Sequence, residues 1–200
     1  LASPEGTALV LGLGNPGPRY QGTRHNAGAA AVAELARRAG LALTRQSLAS
    51  LWAKGRVADR AAILALPQTY MNRSGQAAAS LVHYFKLGPE SLVVVHDDLD
   101  LELGRLKVAR KGSAAGHKGV ASVMQHLGTA EFARLKLGIG RPRHDEPIER
   151  YVLEGFYADQ REMVDKAVGM AVDCLEVILS QGVEAAMQRF HSPLKEEVEG

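Results

Sequence analysis

The apolar positions of the chain fall into two alternating patterns, short unbroken runs and repeats spaced three or four residues apart. The run ALVLGLG over 8–14 ends on the breakers Asn15, Pro16, Gly17 and Pro18, which predicts a buried strand feeding a loop. A helix is predicted next, capped by Asn26 and stopped at Gly40, with Val32, Leu35 and Ala36 facing inward. Residues 41–66 predict two or three strands with a hairpin among them, ending in AAILALP. After Pro67 and QTYMN, the spacing of Ala77, Ala78, Leu81, Val82 and Phe85 predicts a second helix that starts at Asn72 or Ser74. SLVVVHDDLDL reads as a buried parallel strand that runs straight into acidic residues. RLKVAR and RLKLGIG predict further strands, and GHKGVASVMQHLG a short helix between them with Val120, Val123, Met124 and Leu127 inward. The tail is predicted helical: residues 159–180 put Met163, Ala167, Ala171, Cys174, Leu175 and Ile178 on one face, Gly182 ends that helix, and VEAAMQRF forms a last short one.

Strands alternating with helices predict an α/β fold, a single domain with a mixed, mostly parallel twisted sheet flanked by helices. No repeat, linker or composition break divides residues 1–200, and 1–7 and 192–200 are expected to be peripheral. In open sheets of this kind ligands bind beyond the carboxyl ends of the strands.

Composition narrows the classes. With 200 residues, 46% hydrophobic and 23% charged, the chain is long enough to bury roughly 70% of its unfolded surface without disulfides or a structural metal. Cys174 is the only cysteine, so neither an intramolecular disulfide nor a multi-cysteine zinc site is available. No apolar run approaches the ~18 residues of a membrane span. The opening LASPEGTALVLGLG lacks the basic start and long apolar stretch of a signal peptide, so a cytoplasmic setting without membrane association is expected. A chain opening on Leu1 reads as trimmed, and no function is attached to its first seven residues. Net charge is only +2, so binding to nucleic acid would have to come from local segregation of charge. Two windows without an acidic residue provide it: 105–118, with Arg105, Lys107, Arg110, Lys111 and Lys118, and 134–143, with Arg134, Lys136, Arg141 and Arg143. Lys107, Arg110, Lys111, Lys136 and Arg141 are the candidates for phosphate contact.

Four segments carry candidate chemistry. GLGNPG over 12–17 matches the GxGxxG dinucleotide fingerprint, but two prolines and a polar stretch as far as Asn26 delay the helix that would receive a pyrophosphate. A tight turn presenting Asn15 is the favoured reading. TRHNAG places His25, a side chain suited to take a proton near neutral pH, just before a helix. HDDLDLE sets four carboxylates after a strand. They read either as a Mg²⁺ or Mn²⁺ site, or as one working carboxylate, Asp97, that orients a distant histidine, with Asp100 and Glu102 simply solvated. TYMN offers Asn72 as a helix cap or a carbonyl-binding amide, with Tyr70 and Met71 as an aromatic and an apolar wall. His83, His96, His117, His126, His144 and His191 take the ordinary reading of packed or surface histidines. There is no GxSxG elbow and no HExxH, and Cys174 lies in an apolar stripe, so water is the expected attacker. A metal-dependent phosphoesterase on Asp97, Asp98 and Asp100 and a binding-only RNA factor are the rival readings.

GLGNPGPRYQGTRHNAG, TYMNRSGQA, VVVHDDLDL, GSAAGHKG and LKLGIGRP, in this order, resemble the bacterial peptidyl-tRNA hydrolase family over roughly residues 8–190. The resemblance implies a monomeric α/β hydrolase, free of metal and cofactor and with no obligate protein partner. Such an enzyme cleaves the ester between a peptide and the 3′-terminal ribose of tRNA and so recycles peptidyl-tRNA released during translation. It implies His25 as catalytic base and Asp97 as the carboxylate that stabilises it. Asn15 becomes the amide that tells a blocked amino group from a free one, and Asn72 the amide near the scissile ester. Tyr20, Tyr70 and Asn72 fall at positions associated with the tRNA end, and Met71 at the cleft wall. His117 and Lys118 fall at substrate-facing positions, and Lys118 departs from the family pattern, which commonly has HNG where this chain has HKG.

Overall fold

The computed structural model describes residues 6–190; residues 1–5 of the expected N-terminal periphery, all of the expected 192–200 segment, and His191 lie outside the described residues. Every strand predicted from an unbroken apolar run is present, because each is covered on both faces. The strands are β1 (Ala8–Gly12), β2 (Arg45–Ser47), β3 (Ser50–Val57), β4 (Arg60–Pro67), β5 (Leu92–Asp98), β6 (Leu106–Ala109) and β7 (Ala133–Gly138). They form one mixed sheet in the order β2-β3-β4-β1-β5-β7-β6. β4, β1, β5 and β7 run parallel, β2-β3-β4 is an antiparallel ribbon at one edge, and β6 lies antiparallel to β7 at the other.

The helices are α1 (Ala27–Arg38), α2 (Ser74–Tyr84), α3 (Lys118–Leu127), α4 (Ile148–Val152), α5 (Arg161–Gln181) and α6 (Val183–Phe190). Alternation along β5 shows how the sheet divides two cores: Val93 and Val95 face the larger one with α1, α5 and α6, while Leu92 and Val94 face the smaller one with α2 and α3. One local expectation is corrected, one pair of alternatives is decided and one element is new. Met163 sits in the first turn of α5 and is half exposed, not inward, because the helix meets the sheet only from Ala167 onward. α2 begins at Ser74, after a 3₁₀ turn over Met71–Arg73, and Ser74 Oγ donates to the Met71 carbonyl. The short α4, too brief to leave a period in the sequence, lies in a stretch with no predicted element.

Register brings the strand ends together. Gly12 pairs with Val95, so the loop after β1 and the last residues of β5 leave the sheet side by side. α1 starts against that point because Gly28 has no side chain: a Cβ there would lie 2.2 Å from the Val95 carbonyl oxygen. Gly12 is equally confined, with a Cβ 2.7 Å from the Gly28 carbonyl oxygen. Gly28→Ala should therefore cost about 1–3 kcal/mol, the usual penalty of forcing atoms into a filled interior. A fall in the urea midpoint at unchanged m-value would show it, and a midpoint equal to the parent's would mean the contact has slack that the structure does not suggest.

Candidate active site

Beyond the ends of β1 and β5 lies a cleft of about 630 Å³ whose walls include Asn15, His25, Met71, Asn72, Asp97 and His117. The first turn is built by a reciprocal clamp. Asn26 Oδ1 accepts from the Asn15 backbone N–H at 2.9 Å, and Asn26 Nδ2 donates to the Asn15 carbonyl at 2.9 Å. Asn26 makes no helix-capping bond, which corrects the expected role. Asn15 Oδ1 then accepts the Met71 N–H at 2.8 Å, and this fixes the amide's orientation and leaves Nδ2 as the donor that Asn15 offers the cleft it lines.

His25 lies in a 3₁₀ turn, and its Nδ1 is 3.0 Å from both oxygens of Asp97, the residue that ends the buried part of β5. His117 Nε2 approaches Asp97 Oδ1 at 2.9 Å. Burial alone would push the Asp97 carboxyl up, but the two imidazoles, His117 foremost, outweigh it and hold it well below the usual carboxylate range. A carboxylate accepts only, so both histidines donate to it, and the donated Nδ1–H of His25 leaves its Nε2 with a lone pair.

The other carboxylates of the acidic loop disperse. Asp98 meets Lys136 Nζ at 2.8 Å, and Asp100, exposed, pairs with Arg141. Three carboxylates bound to three different groups do not make the oxygen cage of the metal-dependent phosphoesterase. His25, Asp97 and His117 do bring their ligand atoms within 4.8 Å of one another. Yet His117 Nδ1 accepts the Gly119 and Val120 N–H groups, so its proton sits on Nε2, where a metal would need a lone pair. Among the described residues, no Ser, Thr or Cys lines the cleft. Cys174 is buried in α5, and burial pushes its thiol up to about 12.

Met71 is buried in the wall and Asn72 is exposed at the rim. Tyr70 is exposed, with the Tyr20 ring edge-on at 6.4 Å. Lys118 opens α3, lines the cleft, and has no ion-pair partner among the described residues. The basic windows are less free than the sequence suggests: Lys136 is engaged by Asp98, Arg110 by Glu184, Lys111 by Glu131 and Arg141 by Asp100. Arg134 is buried, donating to the carbonyls of Gly112 and Ser113 at 2.6 Å. Lys107 stands exposed on β6.

Sequence reasoning gave Arg24 and Gly28 no role and read His96 as an ordinary packed or surface histidine. His96 is buried, with Nδ1 2.6 Å from the Asp97 carbonyl. Arg24 is fully buried against the Tyr151 ring at 3.8 Å. The one available signal was position: Arg24 adjoins His25, His96 adjoins Asp97, and Gly28 closes the TRHNAG segment.

A mixed sheet whose parallel strands carry a buried carboxylate and imidazole pair at their carboxyl ends, beside a cleft with no Ser, Thr or Cys among the described residues, fits an α/β enzyme of the hydrolase class. The family model described as Peptidyl-tRNA hydrolase matches residues 9–198. The chain belongs to the peptidyl-tRNA hydrolase family. It is 41% identical over 184 residues to the peptidyl-tRNA hydrolase of Brevibacillus brevis, covering 92% of this chain and 97% of that one. It is 44% identical over 186 residues to that of Symbiobacterium thermophilum, covering 92% and 98%. The crystal structure of the Acinetobacter baumannii peptidyl-tRNA hydrolase superposes with a TM-score of 0.87 at 32% identity, covering 93% of this chain and 95% of that one.

His96 ties the site to stability. Burial first, then the neighbouring His117, pushes it down to about 3. In the unfolded chain it takes a proton near 6.5, so between 6.5 and about 3 the unfolded state binds more protons and folding weakens as pH falls. Its slope approaches ~1.4 kcal/mol per pH unit inside that window. Urea titrations at pH 4.5–6.5 should show this slope in the parent and a flatter one in His96→Leu; parallel slopes would mean that His96 is charged in the fold.

Proposed function

We propose that this protein hydrolyses the ester between a peptide, or an N-blocked amino acid, and the 3′-terminal ribose of tRNA, using water activated by His25. The observation that carries this is the His25 Nδ1 to Asp97 contact at 3.0 Å in a cleft lined, among the described residues, by no Ser, Thr or Cys. His25 Nε2 takes a proton from water as the water oxygen adds to the ester carbonyl carbon, and Asp97 stabilises the imidazolium that results. The amide donors of Asn15 and Asn72 face the negative charge that develops on the carbonyl oxygen or the neighbouring peptide bond. Collapse of the tetrahedral intermediate breaks the bond to the ribose oxygen, which recovers the proton from His25. The products are a tRNA with its terminal hydroxyl restored and a peptide carboxylic acid, which gives up its proton to solvent to become the carboxylate.

Tyr20 and Tyr70 supply ring faces for the terminal base, and Met71 an apolar wall. The exposed Lys107, Arg110 and Lys111 form the side from which phosphates are met, with Glu184 and Glu131 exchanged for the backbone of the tRNA. A substrate made during translation supports the cytoplasm as the place of work, and the working form proposed is a monomer.

With chelator present, the protein should release the acyl group from N-blocked aminoacyl-tRNA and leave unblocked aminoacyl-tRNA intact. His25→Ala should lower kcat by ~10²–10⁴ with substrate affinity nearly retained. Release that depends on added metal, or near-parental kcat without His25, would overturn the mechanism.

A further inference from the structure

We propose that His117 is a positioning residue that locks the Asp97 carboxylate, and through it His25, to the start of α3. This rests on His25 acting as the base. The resemblance places His117 among substrate contacts, but both of its ring nitrogens are already engaged inside the protein. Nδ1 accepts the N–H groups of Gly119 and Val120 at 3.2 Å each, as the N-cap of α3. Nε2 donates to Asp97 Oδ1 at 2.9 Å. No polar atom of the ring is left for a substrate, and its side chain is only 8% exposed.

The arrangement works as a rigid strut. Two N–H groups at a helix start present partial positive charge and accept no proton, so they fix the ring plane and assign the ring proton to the opposite nitrogen. That proton takes Oδ1 and stops the carboxylate rotating. Held in that plane, Asp97 presents both oxygens to His25 Nδ1 at equal distance, 3.0 Å. The His96 ring packs behind, edge-on to His117 at 4.7 Å, and its Nδ1–H donates to the Asp97 main-chain carbonyl. The residue that aims the catalytic pair is thus itself aimed by backbone from another element.

Two substitutions separate the halves of the strut. Asn places an acceptor where His carries Nδ1 and does not reach as far as Nε2, so His117→Asn keeps the helix cap and loses the Asp97 bond. Gln places a donor where His carries Nε2, so His117→Gln keeps the Asp97 bond and loses the cap. Steady-state kinetics on N-blocked aminoacyl-tRNA, thermal melting, and proton NMR of the imidazole N–H signals would be measured for both in the full chain. For His117→Asn we expect a melting temperature close to the parent's, KM unchanged, kcat reduced roughly 10- to 100-fold, and the His25 Nδ1–H signal moved or lost. For His117→Gln we expect a lower melting temperature with kcat within a few-fold and the His25 signal kept. Near-parental kcat and an unmoved His25 signal in His117→Asn would overturn the proposal in favour of a capping role alone. A rise in KM shared by both variants, with kcat preserved, would overturn it in favour of substrate contact. The NMR signal does not depend on turnover, so it reports on the strut even where His25→Ala shows His25 not to be the base.

Discussion

A carboxylate that stays ionised inside the protein is the constraint around which this structure is organised. Asp97 is 2% exposed, and taking a charge out of water costs several kcal/mol unless hydrogen bonds and opposite charge offset the loss. The two donors that offset it come from far apart in sequence, one from the turn before α1 and one from the start of α3. Both elements must therefore converge on the carboxyl end of β5, on opposite sides of it. Gly28 lets the first approach to van der Waals limits. On the second side Gly119 does the same, where a Cβ would fall 2.4 Å from Met71 Sδ.

Much of this was legible because it follows from burial. Central strands covered on both faces need unbroken apolar runs, and β1, β4, β5 and β7 announce themselves that way. Chemistry concentrated after such runs pointed to Asn15 and Asp97, and His25 stood out as a histidine beside a helix start. What was hidden depends on distance in space. Nothing in the residues around 117 says that its ring sits 4.9 Å from that of His25, since the contact is created by a parallel crossover. Asn26 looked like a helix cap because asparagine before a helix usually is one; tertiary demand from the Asn15 backbone took its side chain instead.

Charge was the least readable property. Windows of sequence without acids suggested two open basic faces, yet acids from α6, from the segment before β7 and from the β5 loop reach most of them. The pairs differ in kind. Arg110 with Glu184 and Lys111 with Glu131 are exposed and worth little in water, so a phosphate can displace the carboxylate at small cost. Lys136 with Asp98 is mostly enclosed, 16% and 11% exposed at the side chains, and belongs to the wall between sheet and cleft. Segregation of charge survives as a property of the surface, through Lys107 and through Lys118, which has no ion-pair partner among the described residues, and not as a property of the linear windows.

The three consecutive residues of the 24–26 turn show how the working side chain is held without being touched by much. Arg24 turns inward, donating to the Tyr151 carbonyl at 3.0 Å and stacking within 4.6 Å of the Tyr157 ring centroid. Its own N–H donates to the Glu154 carbonyl, and Thr23 bridges to Gly155. Asn26 turns the other way and clasps the Asn15 backbone. The backbone of His25 is thus fixed from behind by the end of α4 and from in front by the loop after β1, and its ring needs only the one carboxylate contact to be oriented. In the role proposed for it above, His25 keeps its second nitrogen unbonded to accept a proton, so it is not anchored at both ends of its own ring. Rigidity at His25 comes from its neighbours, and among them the buried Arg24, packed against the Tyr151 and Tyr157 rings, anchors the turn that carries it.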